Sequence, residues 1–121
     1  MVFYFNNERP IYLQLVEQLE LYIVSGRLEP DEKLPSVREL AAEAKVNPNT
    51  MQRALIELEN RELVYSMRTS GRYVTNDSVF LTERREALAR AKIRQFLGEV
   101  HELNLDSAEI INLITQEGGQ E

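Results

Sequence analysis

Asn49, Gln52 and Arg53 lie close together in the chain, and each can form two hydrogen bonds at once with a planar partner. A glutamine amide matches the N6 and N7 edge of adenine, and a guanidinium matches guanine O6 and N7 or a phosphate. Arg38 upstream and Arg68 and Arg72 downstream add cations suited to gripping a phosphate backbone. This is the chemistry of nucleic-acid recognition, and no comparable set exists for catalysis. The single histidine, His101, has Glu99 and Glu102 nearby but no second histidine or any cysteine to complete a metal or nucleophile site. The carboxylates are scattered at helical spacing, as on solvated faces, and there is no glycine-rich phosphate loop. The expectation is a non-enzyme with no catalytic residue, no metal and no cofactor.

The elements that position those side chains have local causes. In LPSVRELAAEAKVNPNTMQR, residues 34–53, Pro35 biases its predecessor towards extended geometry. Ser36 and Glu39 then form a capping box that starts a helix. Val37, Leu40, Ala41 and Ala44 recur at spacings of three and four, an apolar stripe that leaves Arg38, Glu39 and Glu43 outside. Beyond Ala44 the stripe breaks. Asn47 can cap a second helix and Pro48 fits its first position. Met51, Leu55 and Leu58 form the buried seam of that helix, so Asn49, Gln52, Arg53, Ile56 and Glu57 face away, the polar ones nearest its N-terminus. Two short helices with a tight turn between them make a helix-turn-helix, whose second helix touches base edges with that end.

Composition bounds the rest. The chain has 121 residues, 28% charged and 43% hydrophobic, which suits one compact domain with a modest appendage. It has no cysteine, so disulfides and thiolate metal sites are excluded. MVFYFNNERP carries no signal-peptide pattern and no apolar run reaches the roughly 18 residues of a membrane span, so a cytoplasmic protein without a membrane partner is expected. The net charge of −6 has the wrong sign for a partner of nucleic acid. Its distribution softens the objection: from Lys45 to Asn76 there are five basic residues against three acidic ones.

Pro10 to Val24 reads as a leading helix with Ile11, Leu15, Leu19 and Tyr22 or Ile23 inward, ended by a left-handed cap at Gly26. Phe3, Tyr4 and Phe5 are assigned to packing or a dimer contact rather than to base stacking. Downstream, residues 63–66 and 72–75 are β-rich runs around Met67-Arg68-Thr69-Ser70-Gly71, as in a hairpin with glycine in its turn. A basic hairpin beside a helix-turn-helix is a wing that can lay Arg68 and Arg72 along phosphates; the alternative is a solvated tip.

The order PIYLQL, SGRLEPDEKLPSVRELA, VNPNTMQRALIELE and LVYSMRTSGRYV resembles the winged-helix domain of the GntR family of bacterial transcription regulators, over roughly residues 10 to 76. LPSVRELA and NPNT-x-x-RAL are its most specific parts. The resemblance implies binding of double-stranded operator DNA as a dimer, with the second helix in the major groove and the wing alongside. The expected contacts are Ser36 and Arg38, then Asn47, Pro48, Asn49, Thr50, Gln52 and Arg53, and at the wing Arg68, Ser70, Gly71 and Arg72. Asp31, Lys45, Glu62 and Thr69 stand where the family usually has glycine, which implies altered turns or stability given up at those positions.

Most members carry a large C-terminal effector domain, and the 44 residues left here are too few for one. Thr82 to Asn104 shows a helical stripe of Ala89, Ile93, Phe96, Val100 and Leu103, widened by Leu88 and Leu97. Asp106 with Glu109 starts a shorter helix containing Ile110, Ile111, Leu113 and Ile114, and the chain closes on Gly-Gly-Gln-Glu, a polar end expected to fray. This tail resembles the YtrA-like subgroup, in which two helices dimerise; folding back onto the winged domain is the alternative. The reading is a mainly α fold with a small β-wing: a winged helix-turn-helix DNA-binding domain at 1–77 and a helical dimerisation tail at 78–121, with Leu88, Ile93, Phe96, Leu97, Val100, Leu103, Ile110, Ile111, Leu113 and Ile114 at the interface. The function expected is a sequence-specific transcription regulator, a repressor binding an imperfect palindrome as a homodimer. No small-molecule effector is identifiable from the residues. The rival is a winged helix that binds a protein through its acidic surface.

Overall fold

The computed structural model describes residues 1–119, so the expected frayed end at Gln120 and Glu121 lies outside the described residues. Its elements run α1 (Ile11–Val24), α2 (Val37–Ala44), α3 (Pro48–Asn60), β1 (Val64–Met67), β2 (Gly71–Val74), α4 (Ser78–His101) and α5 (Ser107–Gly118). The fold is five helices with a two-stranded antiparallel wing. The chain divides into two compact units, Met1–Arg85 and the remainder from Glu86.

In the first unit α1 and α2 both pack on α3, and α3 touches β1. The periodic apolar residues meet there. Leu15, Leu19 and Ile23 of α1, Leu40 of α2, Met51, Leu55 and Leu58 of α3, and Leu63 and Val74 at the base of the wing are all 2% exposed or less. Each contributes roughly 1.5–3 kcal/mol by leaving water. Ile23 rather than Tyr22 takes the inward position, and Gly26 at φ +82° ends α1 in the left-handed region.

Ahead of α1, residues 2–6 lie extended along it. Val2, Tyr4 and Asn6 each offer a backbone N–H and C=O to Tyr22, Gln18 and Gln14, at 2.7–3.1 Å. Those three side chains are four residues apart, one per helical turn, and so match the strand's two-residue repeat. Phe3 stacks on Phe5 and tilts against Tyr22, so two of the three aromatics pack here, while Tyr4 is exposed.

The wing differs from expectation by one residue. Val64 pairs with Val74 and Met67 with Gly71, so the strands reach further towards the tip and leave a three-residue loop, Arg68 to Ser70. Gly71 sits at φ +128°. Three of the four residues in place of glycine do adopt the left-handed region: Asp31 (φ 66°), Lys45 (φ 58°) and Glu62 (φ 64°). Thr69 does not. At those three turns the chain keeps the glycine backbone at a steric cost of about 1 kcal/mol each.

α4 begins at Ser78, four residues before Thr82, because the Asp77 carboxylate accepts from the Phe80 N–H at 3.0 Å and starts the helix there. It stops at His101, with Asn104 turned to φ 62°. Within the first unit its Arg84 reaches back to α1. Glu20, 2% exposed, accepts from Arg84 through Nε at 2.7 Å and through Nη2, and from Arg61 Nη1 at 3.2 Å. One buried carboxylate is thus compensated by two arginines from different elements.

In the second unit α5 starts from the expected Asp106–Glu109 capping box. Ile110 is buried, while no residue of α4 is. The end of α4 and α5 leave an apolar groove between them, lined by Phe96, Val100, Leu105, Leu113 and Ile114. No described helix is long and apolar enough to cross a membrane.

Candidate nucleic-acid interface

Ser36 caps α2 as expected: its hydroxyl accepts from the Glu39 N–H at 3.1 Å and the Glu39 carboxylate accepts from the Ser36 N–H at 3.2 Å. The helix ends at Lys45 in left-handed geometry, and the Val46 N–H closes on Ala41 O at 3.0 Å. Asn47 then caps α3, accepting from the Asn49 N–H at 2.7 Å, with Pro48 at the first helical position. Three residues therefore turn one helix into the next, and each has a backbone reason to be there.

Met51, Ala54, Leu55 and Leu58 fasten α3 to the core. That orientation leaves Asn49, Gln52 and Arg53 exposed and Thr50 half-buried. Asn49 and Gln52 are one turn apart on a common face, free of hydrogen bonds through their side chains among the described residues. Arg53 is held differently, its guanidinium 3.7 Å from the centre of the Tyr12 ring of α1.

The wing is braced from several sides. Tyr65 and Tyr73 stack at 5.7 Å, and Ser70 is hydrogen-bonded to the Tyr73 hydroxyl. Tyr65 donates to Asp31 at 2.8 Å, a bond that, ahead of desolvation, holds the phenol above its ordinary pKa. Arg72 is paired with Glu59 of α3, whose carboxylate also accepts from Ser66 at 2.9 Å. Arg68 stands exposed at the tip beside Ser70 and Gly71.

The nine Lys and Arg of residues 1–77 sort by what they touch. Arg9, Arg61 and Arg72 form ion pairs, and Arg27 and Arg53 lie on tyrosine rings. Lys33, Arg38, Lys45 and Arg68 have no ion-pair partner among the described residues, and all four flank α2 or the wing. The geometry thus brings the expected α3 residues and Arg38 together on elements fixed by one core, and separates Arg72, which α3 already engages. Sequence reasoning missed Tyr12, Glu59 and Lys33. The first two act across elements, where no spacing rule reaches them.

Residues 11–74 match the family described as "Bacterial regulatory proteins, gntR family". The chain belongs to the GntR family. Among its curated relatives, the HTH-type transcriptional regulator YhcF of Bacillus subtilis is 37% identical over 95% of this chain and 97% of YhcF. The HTH-type transcriptional repressor YtrA of the same organism is 34% identical over 79% of this chain and 75% of YtrA. A GntR family transcriptional regulator from Listeria monocytogenes superimposes with a TM-score of 0.85 at 37% identity, over 93% of this chain and 98% of that one. The DNA-binding domain of AraR in complex with operator ORX1 matches with a TM-score of 0.57 at 28% identity, over 62% of this chain and 96% of that one. For this GntR-family chain the likeness to YhcF therefore includes the two tail helices as well as the winged domain, and the likeness to YtrA extends beyond α3. These relatives are described as transcription regulators.

Proposed function

We propose that this chain is a sequence-specific repressor that binds an imperfect palindromic operator as a homodimer, residues 1–77 reading DNA and residues 78–121 dimerising. The observation that carries this is the exposed polar N-terminal face of α3, with Asn49 and Gln52 unencumbered and, before and after α3 in the chain, Arg38, Lys45 and Arg68 without ion-pair partners among the described residues. Gln52 contacts a base, with adenine the best match, Asn49 and Thr50 line the same groove, and Arg53 contacts guanine or phosphate from its seat on Tyr12. Ser36, Asn47 and Pro48 contribute by fixing the two helix starts at the backbone. Arg38 and Arg68 grip phosphate, with Ser70 and Gly71 bringing the wing tip close. Arg72 reaches phosphate only by sharing its charge with Glu59.

The tail supports the dimer. Ile93, Phe96, Leu103, Ile111, Leu113 and Ile114, on α4, α5 and the turn between them, are 42–70% exposed, an unusual amount of large apolar side chain to leave in water. A second copy covers them, together with Leu88, Leu97 and Val100; Ile110 acts from beneath, holding α5 in place. A twofold dimer places two α3 helices on half-sites roughly 34 Å apart. The name of the relative YtrA, a repressor, supports the sign of regulation. Titration of the protein into a palindromic duplex and a random duplex at several salt concentrations tests the proposal. Expected are steep salt dependence on both and tighter binding to the palindrome. Binding that ignores salt, or no binding to duplex, overturns it in favour of a protein-binding winged helix.

A further inference from the structure

Lys33 is the cation that no sequence motif singles out, yet the backbone on either side of it is hydrogen-bonded to the wing. Residues 31–34 run beside β2 as a short third strand. The Asp31 N–H donates to Val74 O, the Val74 N–H to Glu32 O and the Leu34 N–H to Arg72 O, each at 2.9 Å, and Lys33 faces Tyr73 in an isolated bridge. The side chain then crosses the wing: its Cε lies 3.2 Å from the point that a Cβ on Gly71 would occupy. It enters a cleft between the wing tip and the start of α2 that Ser36, Ser70, Arg72 and Glu39 also line. The other charges of that cleft are engaged, Arg72 with Glu59 and Glu39 with the Ser36 N–H. Of the two cations lining the cleft, Lys33 is the one without an ion pair among the described residues.

We propose that Lys33 is a DNA-backbone contact whose ammonium takes a phosphate passing between the wing and the start of α2, and that Gly71 lacks a side chain partly to let the lysine stem lie across the wing. The inference rests on the DNA-binding function proposed above. An ammonium is a compact point charge without the paired donors that distinguish one base from another, so its role is affinity and register rather than sequence choice. Its stem packed on Gly71 limits the rotamer freedom that a free lysine would lose on binding.

Binding of Lys33→Met, Lys33→Gln and Lys33→Arg to a palindromic operator duplex and to a random duplex, followed by fluorescence anisotropy across a salt series, tests this. The methionine and glutamine variants should flatten the plot of log K against log salt by about 0.9 per contact, or about 1.8 for a dimer on two half-sites. The loss should be equal on both duplexes, and Lys33→Arg should retain the wild-type slope. Lys33 is exposed, and the backbone bonds that hold this segment to β2 belong to its neighbours Asp31, Glu32 and Leu34, so the variants should melt like the parent. An unchanged slope in both neutral variants overturns the proposal while leaving DNA binding intact, as does a loss confined to the operator. Absence of salt-dependent binding by the wild type overturns both together.

Discussion

Gln52 and Arg38 differ in what they can tell apart, although both are polar, exposed and close to the same turn. An amide can satisfy both hydrogen-bonding positions of adenine, whereas a phosphate looks alike at every step of the duplex. Gln52→Ala should therefore cost about 1–3 kcal/mol on the operator and relax preference at one base pair, measured on single-substituted duplexes. Arg38→Ala should weaken operator and random duplex by the same factor. Equal losses for Gln52→Ala on both duplexes would contradict its role. A second residue-scale prediction concerns strain. Lys45 holds a left-handed backbone without side-chain compensation, so Lys45→Gly should raise stability in denaturant melts by up to about 1 kcal/mol. Asp31→Gly should show no such gain, because the Asp31 carboxylate accepts from Tyr65 at 2.8 Å and Asn76 at 3.3 Å.

At the scale of elements, most of what is periodic or capped is legible in the chain. The seams of α1, α2 and α3, both capping boxes and the Asn47-Pro48 start follow from spacings of three and four and from side chains that reach their own backbone. What escaped depends on partners far along the chain. Tyr22 is a candidate for the inward position of α1 and Gln14 and Gln18 carry no assignment in the sequence reading, yet all three bind an extended segment with no pattern of its own. The pairing of Arg72 with Glu59 escapes because Glu59 lies thirteen residues earlier on another element. α4 starts ahead of its apolar stripe because its cap, Asp77, precedes the first residue of that stripe by several positions. The docked segment yields its own prediction. Gln14 is buried and bonds Asn6 at both backbone groups and Arg9 at its carbonyl. Gln14→Ala should speed amide hydrogen exchange at Asn6 by an order of magnitude or more, since losing a bond worth about 1.4 kcal/mol gives a tenfold change in opening. Amides within α3 should keep their protection.

For the whole molecule, the apolar residues that stay exposed in the tail are the strongest prompt towards assembly. Ile114 lines the groove at 48% exposure, so a charge placed there should oppose burial against a second copy without removing a core residue. Ile114→Asp should sediment as a monomer at concentrations where the parent is a dimer, and its affinity for the palindrome should fall towards that of a single half-site. Far-ultraviolet circular dichroism should remain close to that of the parent. A dimer that survives the substitution would place the interface elsewhere.

The Glu20 cluster sets the rule for exchanging parts between members of this family. Its carboxylate belongs to α1 and one of its two arginines to α4, so the charge balance of the DNA-binding unit is completed by a residue from beyond the wing. A chimera joined at residue 77 would import a foreign residue at position 84 and could leave Glu20 with Arg61 alone. A junction after Arg85 carries the compensating arginine with its carboxylate. Of two such chimeras with the same donor tail, one lacking arginine at that position, the later junction should give the more stable DNA-binding unit. The difference should approach the roughly 3–5 kcal/mol of a broken buried pair, reduced because Arg61 remains and both arginines are partly exposed to water. The transplantable module is thus defined by where its charges close, some ten residues past the point at which its secondary structure looks finished.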